Sequence, residues 1–554
     1  MRHGGQILVN HLKANGVKRV FSVPGESFLA ALDGLYASGI ENVVCRHEGG
    51  AAMMAEAHGK LTGRPGICFV TRGPGASNAS AGVHVAKQDS TPMILFVGQI
   101  DTSHRDREAF QEVDYRMMFG GLAKWVAEIE DTARIPEYLS RAFHVATSGR
   151  PGPVVLALPE NMLSSRADVP DIPAQAPRLS MVNAAQVDAV TTALGRAERP
   201  LVVVGGSQWS AAAAADIARF AERWGLPVAA SFRRQDYLDN RHPNYAGDLG
   251  IGMNPALGRR LRDADLLLVL GARISDSMTQ SYELMSPAAP GRIILHIHPD
   301  ADELGRVWRP DIGIAVPAPE MVAALAAAPA PSDRGRWQGR AASARAEYEA
   351  WQKPKETPGS VKMEQVVAWL SANLPADAVV TNGAGNYAAF THRYFQYKDY
   401  GSQLAPTSGS MGYGFPAAIA AALEHPDRTV VCMAGDGCFQ MTLNEMSTAL
   451  QFGAAPVVLV ANNGHYGTIR MHQERTYPSR TSGTILKNPD FASLARSYGG
   501  HGETVRDTAD FPAAFARACA SGKAAIIELM LDPEALTAGA TLSEIRAQAL
   551  AAKA

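Results

Sequence analysis

Short apolar runs rich in β-branched residues recur along the chain in three groups. The first lies at 19–23, 42–46, 66–71, 93–98 and 153–158, the second at 200–205, 226–230, 265–271 and 292–297, and the third at 378–381, 429–434, 456–461 and 524–531. The runs are near-continuously hydrophobic rather than alternating, which is the pattern of strands covered by helices on both faces. Helical segments separate them, so each group predicts a doubly wound α/β domain on a parallel sheet. The expected domains are 1–165, 180–330 and 355–554. Two proline-rich stretches divide the groups: 164–177, which contains VPDIPAQAP, and 317–359, which mixes Ala/Pro-rich sequence with a charged helical piece at 334–351. Proline resists both helix and sheet, so both stretches are expected to be linkers. The first twenty residues read as an amphipathic helix with Ile7, Leu8, Leu12 and Val17 on one side.

Composition narrows the classes. The chain has 554 residues, room for three or four domains; 46% are hydrophobic and 19% charged. That balance excludes a disordered chain, a coiled coil and a collagen-like fibre. A net charge of −2 is not that of a nucleic-acid binder. No apolar run reaches the length of a membrane span, and the N-terminus does not resemble a signal peptide. The five cysteines, Cys45, Cys68, Cys432, Cys438 and Cys519, are odd in number and form no C-x-x-C pair. They argue against a disulfide framework or zinc site and for a cytoplasmic protein. Cys432 and Cys438, six apart around a motif described below, are expected to be small buried residues rather than nucleophiles.

The chemistry concentrates at strand ends. In the third group one strand runs into Gly435-Asp436-Gly437 and another into Asn462-Asn463-Gly464-His465. Ligands of open parallel sheets gather at the carboxyl ends of strands. Asp436 and Asn463 are hard oxygen donors suited to Mg²⁺, and the helix after Gly437 can receive phosphate on its amides. Either Asp-Gly or Asn-Gly alone would be an ordinary turn; together, one strand–helix–strand unit apart, they point to a diphosphate and its metal. In the first group, Arg46-His47-Glu48-Gly49-Gly50 joins a strand to a helix of small residues. Taken by itself, Glu48 is there a favourable first-turn charge. Thr71-Arg72-Gly73-Pro74-Gly75-Ala76-Ser77-Asn78 makes a sharp turn, with Ser77 or Asn78 as a possible helix cap.

On these motifs the sequence resembles the thiamine diphosphate-dependent enzymes of 2-oxo acids, in their acetolactate synthase-like branch, over nearly its whole length. The resemblance implies pyrimidine-binding, central and diphosphate-binding domains in that order. Asp436, Asn463 and the His465 carbonyl are then ligands of Mg²⁺, and Gly435, Gly437, Tyr466 and Gly467 complete the diphosphate site. Glu48 hydrogen-bonds the aminopyrimidine and promotes deprotonation of the thiazolium. Met411, in Ser408-Gly409-Ser410-Met411-Gly412 before an Ala-rich helix at 417–423, is the apolar wedge that bends the cofactor. Gly409, Asn382, Gly383, Ala384, Gly73 and Asn78 lie near the cofactor. Pro24 and Gly25, at the end of the first strand, face the site with Glu26. Gln111 reaches it, Phe110 walls it, and Lys124 is a further matched position.

The middle group carries Gly271-Ala272-Arg273-Ile274-Ser275-Asp276-Ser277. This begins like a flavin-side segment but has Ser277 where the family carries a second arginine. That departure counts against FAD and favours a nucleotide-free middle domain. The implied activity is a decarboxylase/carboligase, a lyase or transferase on a small 2-oxo acid, with acetolactate formation from two pyruvates as the first candidate. The alternatives are another 2-oxo acid decarboxylase or C–C lyase of the family, or a silent cofactor-binding scaffold. Sites shared between subunits of a homodimer or homotetramer complete the expectation. No nucleic acid or membrane partner is expected.

Overall fold

The hydrophobic runs become strands of three sheets, each six-stranded and parallel throughout. The computed structural model describes residues 1–174, 180–332, 334 and 336–553. The first sheet contains β1 (Arg19–Ser22), β2 (Glu41–Val44), β3 (Gly66–Val70), β4 (Met93–Gln99), β5 (Trp125–Glu128) and β6 (Pro153–Pro159), in the order 2-1-3-4-6-5. The second contains β7 (Pro200–Val204), β8 (Val228–Ser231), β9 (Tyr245–Leu249), β10 (Leu266–Leu270), β11 (Ile293–Ile297) and β12 (Ile312–Ile314), in the order 9-8-7-10-11-12. The third contains β13 (Val379–Asn382), β14 (Gln403–Leu404), β15 (Val430–Gly435), β16 (Val457–Asn462), β17 (His501–Val505) and β18 (Ala525–Met530), in the order 14-13-15-16-18-17. The first and third sheets therefore share one topology, a likeness the sequence shows only as similar architecture. The middle sheet has the order of a dinucleotide-binding fold, which by itself assigns no ligand.

Several local expectations change. The N-terminal helix ends at Ala14, and Val17 lies beyond it, packed on the core from the following turn. Cys432 and Cys438 are buried as expected, as are Cys45 and Cys68, while Cys519 is exposed; among the described residues no cysteine is in a disulfide. The 317–359 stretch is not a linker throughout. Its helix Ala318–Ala327 puts Met321, Val322 and Leu325 into the core of the middle sheet, and Trp337 and Tyr348 join them. Ala-rich sequence reads as spacer by composition, yet it packs well where a helix must approach a sheet closely. The charged piece becomes a helix only over Arg340–Trp351. The first linker begins with Arg166–Ala167 paired antiparallel to Arg2–His3. Its residues 175–177 lie outside the described residues. No helix among the described residues is long and apolar enough to cross a membrane.

The chain divides into two compact units that are not contiguous in sequence. One comprises Met1–Arg178, Pro406–Pro426 and Thr442–Ala455; the other comprises Leu179–Ala405, Asp427–Met441 and Pro456–Ala554. In the first unit, α1 (Glu48–Thr62) and α2 (Pro74–Asp89) pack closely because small residues face each other. A Cβ on Gly82 would lie 2.4 Å from the Cβ of Ala52. The later segment brings α3 (Gly414–Glu424) against α1. A buried polar cluster secures it. The Asp89 carboxylate accepts from Lys60, from the Thr407 hydroxyl and from the Thr407 N–H at 2.7 Å. Glu56 accepts from Thr91 and from the Tyr413 hydroxyl, each at 2.6 Å, and Lys60 Nζ stands 3.2 Å from it.

Both carboxylates have fully buried side chains, so the ammonium between them offsets a large desolvation cost. Lys60→Met is expected to lower the opening free energy of the α1 amides by about 3–5 kcal/mol. Hydrogen exchange measures this directly, and unchanged protection would mean that the hydroxyl and backbone donors suffice.

Candidate active site

In the first unit the candidate residues follow the C-terminal ends of β1, β2 and β3, as parallel topology dictates. His47 caps α1, its Nδ1 accepting from the Gly49 N–H at 3.0 Å. Glu48 is thereby the first residue of α1, half-buried. Asn78 of α2 donates its amide to Glu48 Oε2 at 2.9 Å, so it orients the carboxyl rather than merely capping a helix. Gly75 adjoins the same carboxyl; a Cβ there would sit 3.4 Å from Glu48 Oε1.

The turn that carries Glu48 is fixed from beneath by a residue that the sequence analysis passed over. Glu445 is buried and accepts from the Arg46 N–H at 3.2 Å, the His47 N–H at 3.0 Å and the Thr448 hydroxyl at 2.6 Å. Burial pushes its carboxyl above the usual range, against those donors. Gly50 leaves the room it needs, since a Cβ there would come within 2.5 Å of Glu445 Oε1.

Around this turn, Gly25 packs on Thr71, with Pro24 preceding it at the end of β1. Gly73 and Gln111 both have positive φ, +56° and +65°. A Cβ on Gly73 would meet the Gln111 side chain at 2.9 Å, which places Gln111 against this turn. Phe110 is 72% exposed. Gly409, at φ +67°, and the half-buried Met411 lie in the loop that leads into α3. Two cationic candidates are already engaged. Arg72 is buried and donates to Glu26 at 2.9 Å, to Glu160 and to the Phe110 carbonyl at 3.3 Å. Lys124 donates to the carbonyls of Val145 and Ser148 at 2.6 and 2.7 Å, which makes it a helix-terminus anchor.

In the second unit the ends of β13, β15 and β16 lie side by side. Asp436 is buried, and burial raises its carboxyl above the usual range. Its Oδ1 accepts from the Gly437 N–H at 2.8 Å. Its Oδ2 accepts from the Gly464 N–H at 2.9 Å and from Asn488 Nδ2 at 2.7 Å. Asn488 also donates to Asn462 Oδ1 at 2.8 Å, clamping the two strand ends together. The motifs gave no sign of Asn488, which stands on a later loop. Asn463 Oδ1 accepts from the His465 N–H at 3.0 Å. His465 and Tyr466 are held by pairing with 484–486. Tyr466 lies over Gly437, where a Cβ would meet its ring at 2.5 Å. Gly467 opens α4 (Gly467–Thr476) and is packed by Leu536 of the C-terminal segment, 2.8 Å from where its Cβ would be. The C-terminal helix is α5 (Leu542–Ala551), fastened to α4 by Arg546 and Glu474 at 2.9 Å. On β13, Asn382 donates to the Gly383 carbonyl at 2.7 Å, while its own buried Oδ1 has no partner. Ala384 follows, half-buried.

These residues fit the expected groups. A carboxylate offers about four acceptor positions and an amide oxygen two. Asp436 fills three, and Asn463 Oδ1 accepts one bond, so each retains capacity for a cation. Among the described residues no cluster of three or more His, Cys, Asp or Glu is placed to hold a metal. The donor set is thus one carboxylate with neutral oxygens, which suits Mg²⁺ shared with phosphate oxygens. The orphaned Asn382 oxygen provides an acceptor for a ligand donor beside it.

Comparison with known proteins agrees with this arrangement. Residues 2–118 match the N-terminal TPP binding domain of thiamine pyrophosphate enzymes, 187–325 the central domain and 383–529 the C-terminal TPP binding domain. The acetolactate synthase isozyme 2 large subunit of Escherichia coli (strain K12) is 30% identical over 91% of this chain and 91% of its own length. The acetolactate synthase large subunit of Haemophilus influenzae is 31% identical over 90% of this chain and 88% of its own. A probable acetolactate synthase large subunit of Methanocaldococcus jannaschii is 30% identical over 96% and 92%. With the domains matched in order and relatives aligned along nearly the full length, the chain belongs to the thiamine pyrophosphate enzymes, in their acetolactate synthase-like branch.

Proposed function

We propose that this protein is a thiamine diphosphate- and Mg²⁺-dependent decarboxylase/carboligase acting on a 2-oxo acid, with two pyruvates giving acetolactate as the first candidate reaction. The observation that carries the reading is the buried Asp436, oriented by Asn488 and Gly464 beside Asn463. Asp436, Asn463 and the His465 carbonyl would hold the metal. Gly435, Gly437, Tyr466 and Gly467 would border the diphosphate, and Pro24, Gly25, Gly73, Asn382, Gly383, Ala384, Gly409 and Met411 the rest of the cofactor. The relatives' names support the choice of reaction.

Thiamine diphosphate, when bound, supplies a nucleophilic carbon and an electron sink for decarboxylation. The chain's own part is geometric and electrostatic. Glu48 holds a proton at a carboxyl oxygen whose direction is set by Asn78 and whose helix start is set by His47 and Glu445. Met411 and Gln111 border the reacting centre. Low polarity around the reacting centre would favour loss of a substrate's charged carboxylate. We take the domains as 1–165, 180–330 and 355–554, a division supported by three family matches in that order. The family membership supports sites shared between subunits of a homodimer or homotetramer, with Glu48 from one subunit and Asp436 from another. Five cysteines that form no disulfide among the described residues support a cytoplasmic location.

A second reading keeps the chemistry and changes the acid or the acceptor. It is favoured by Arg72, whose guanidinium is taken up by Glu26 and Glu160 and is therefore not a ready partner for a substrate carboxylate.

Three measurements test these readings. Carbon dioxide release from a panel of 2-oxo acids should require both thiamine diphosphate and Mg²⁺, with acetolactate found by mass when pyruvate is supplied. Release from another acid, or an aldehyde product, would select the second reading; a cofactor-loaded protein inert on every acid would overturn both. Glu48→Gln should lower kcat by about 10²–10⁴-fold while cofactor binding persists, whereas Asp436→Ala should abolish Mg²⁺-dependent binding. Co-assembled Glu48→Gln and Asp436→Ala subunits should recover partial activity, and none would appear from proven mixed assemblies if each subunit housed its own site.

A further inference from the structure

The middle domain offers little recognisable chemistry, yet one of its residues reaches the candidate cofactor turn. Arg233 follows β8 at the C-terminal end of the middle sheet. It is 4% exposed, and its backbone is left-handed, with φ +60°. A buried guanidinium on a strained backbone is doubly costly, and such outliers gather where function holds them. Its Nη2 donates to the Gly383 carbonyl at 2.9 Å.

That carbonyl also accepts from Asn382, whose Oδ1 is the buried orphan described above. The Gly383 N–H donates to the Tyr387 hydroxyl at 3.2 Å, and that hydroxyl donates to Cys438 Sγ at 3.2 Å. The Tyr387 ring lies where a Cβ on Gly435 would meet it at 3.0 Å. A connected path therefore runs from Arg233 through Gly383 and Tyr387 to the Gly435–Asp436 turn. The surroundings keep the guanidinium as the cation of this corner. Phe232 lies 4.9 Å beneath it, and burial together with Arg233 pushes the neighbouring His392 down to about 3, so that imidazole is neutral. A cation on the Gly383 carbonyl also polarises the peptide that carries the Ala384 N–H, making it a stronger donor.

We infer that Arg233 is a positioning residue for thiamine diphosphate, by which the middle domain sets the Asn382–Gly383–Ala384 turn. The inference rests on the proposed function. Its test uses full-length wild type, Arg233→Gly and Arg233→Lys, each assayed for thermal unfolding without cofactor, for thiamine diphosphate Kd at fixed Mg²⁺, and for kcat and KM with the active 2-oxo acid. Glycine adopts φ +60° freely, so Arg233→Gly should unfold no earlier than wild type. Its cofactor Kd should nevertheless rise tenfold or more, with kcat at saturating cofactor within threefold and Arg233→Lys intermediate in Kd. An Arg233→Gly protein that binds within twofold of wild type overturns the inference, as does a loss of kcat with Kd unchanged. If Arg233→Gly does not fold, Arg233→Met carries the same expectation for Kd, and failure of both to fold assigns Arg233 to the fold alone. Wild type that binds no thiamine diphosphate refutes the proposed function instead.

Discussion

A carboxylate at the end of a buried parallel strand must be given donors, and the way Asp436 receives them organises the second unit. One donor comes from its own following helix, one from the turn after the neighbouring strand, and one from Asn488 on a distant loop. Together they bring the ends of β15 and β16 to a single point without neutralising the charge. The 484–486 segment pairs with the His465–Tyr466 turn, and Tyr466 lies against Gly437. The packing there follows from where the carboxylate must stand.

The first unit solves the matching problem differently. Glu48 stands at the start of α1, and its supports arrive from segments far apart in sequence: Asn78 from α2 and Glu445 from the 442–455 stretch. The small residues of α1 serve this arrangement twice. They let α2 approach on one side, and at Gly50 they admit the Glu445 carboxylate on another. Shared strand order in the first and third sheets puts the corresponding ends of both on equivalent edges.

Legibility in the sequence followed burial. Central strands such as β4 and β16 are hydrophobic along their length because helices cover both faces. β5, β9, β12, β14 and β17 escaped notice, and all of them are edge strands. An edge strand is short or partly polar, as in the HGETV of β17, and carries too little pattern to stand out. The site divided similarly. Asp436, Asn463 and Glu48 were visible because glycines and strand ends frame them. Asn488, Glu445 and Arg233 stand among other polar residues with no motif to frame them; only the folded chain reveals what they hold. Val17 was misplaced for a simpler reason, since helical spacing does not fix where a helix stops.

The interleaving of the two units bears on how the chain is made. The N-terminal unit takes in Pro406–Pro426 and Thr442–Ala455, and Thr407, Tyr413 and Glu445 occupy its interior positions. On a ribosome adding roughly 5–20 residues per second, the first sheet emerges on the order of tens of seconds before those segments. Through that interval Glu56 has Thr91 and Lys60 but not the Tyr413 hydroxyl, and Asp89 has Lys60 but neither donor of Thr407. Synthesis thus proceeds with an open N-terminal half that only a nearly finished polypeptide can close, so its maturation is timed by translation of the third sheet.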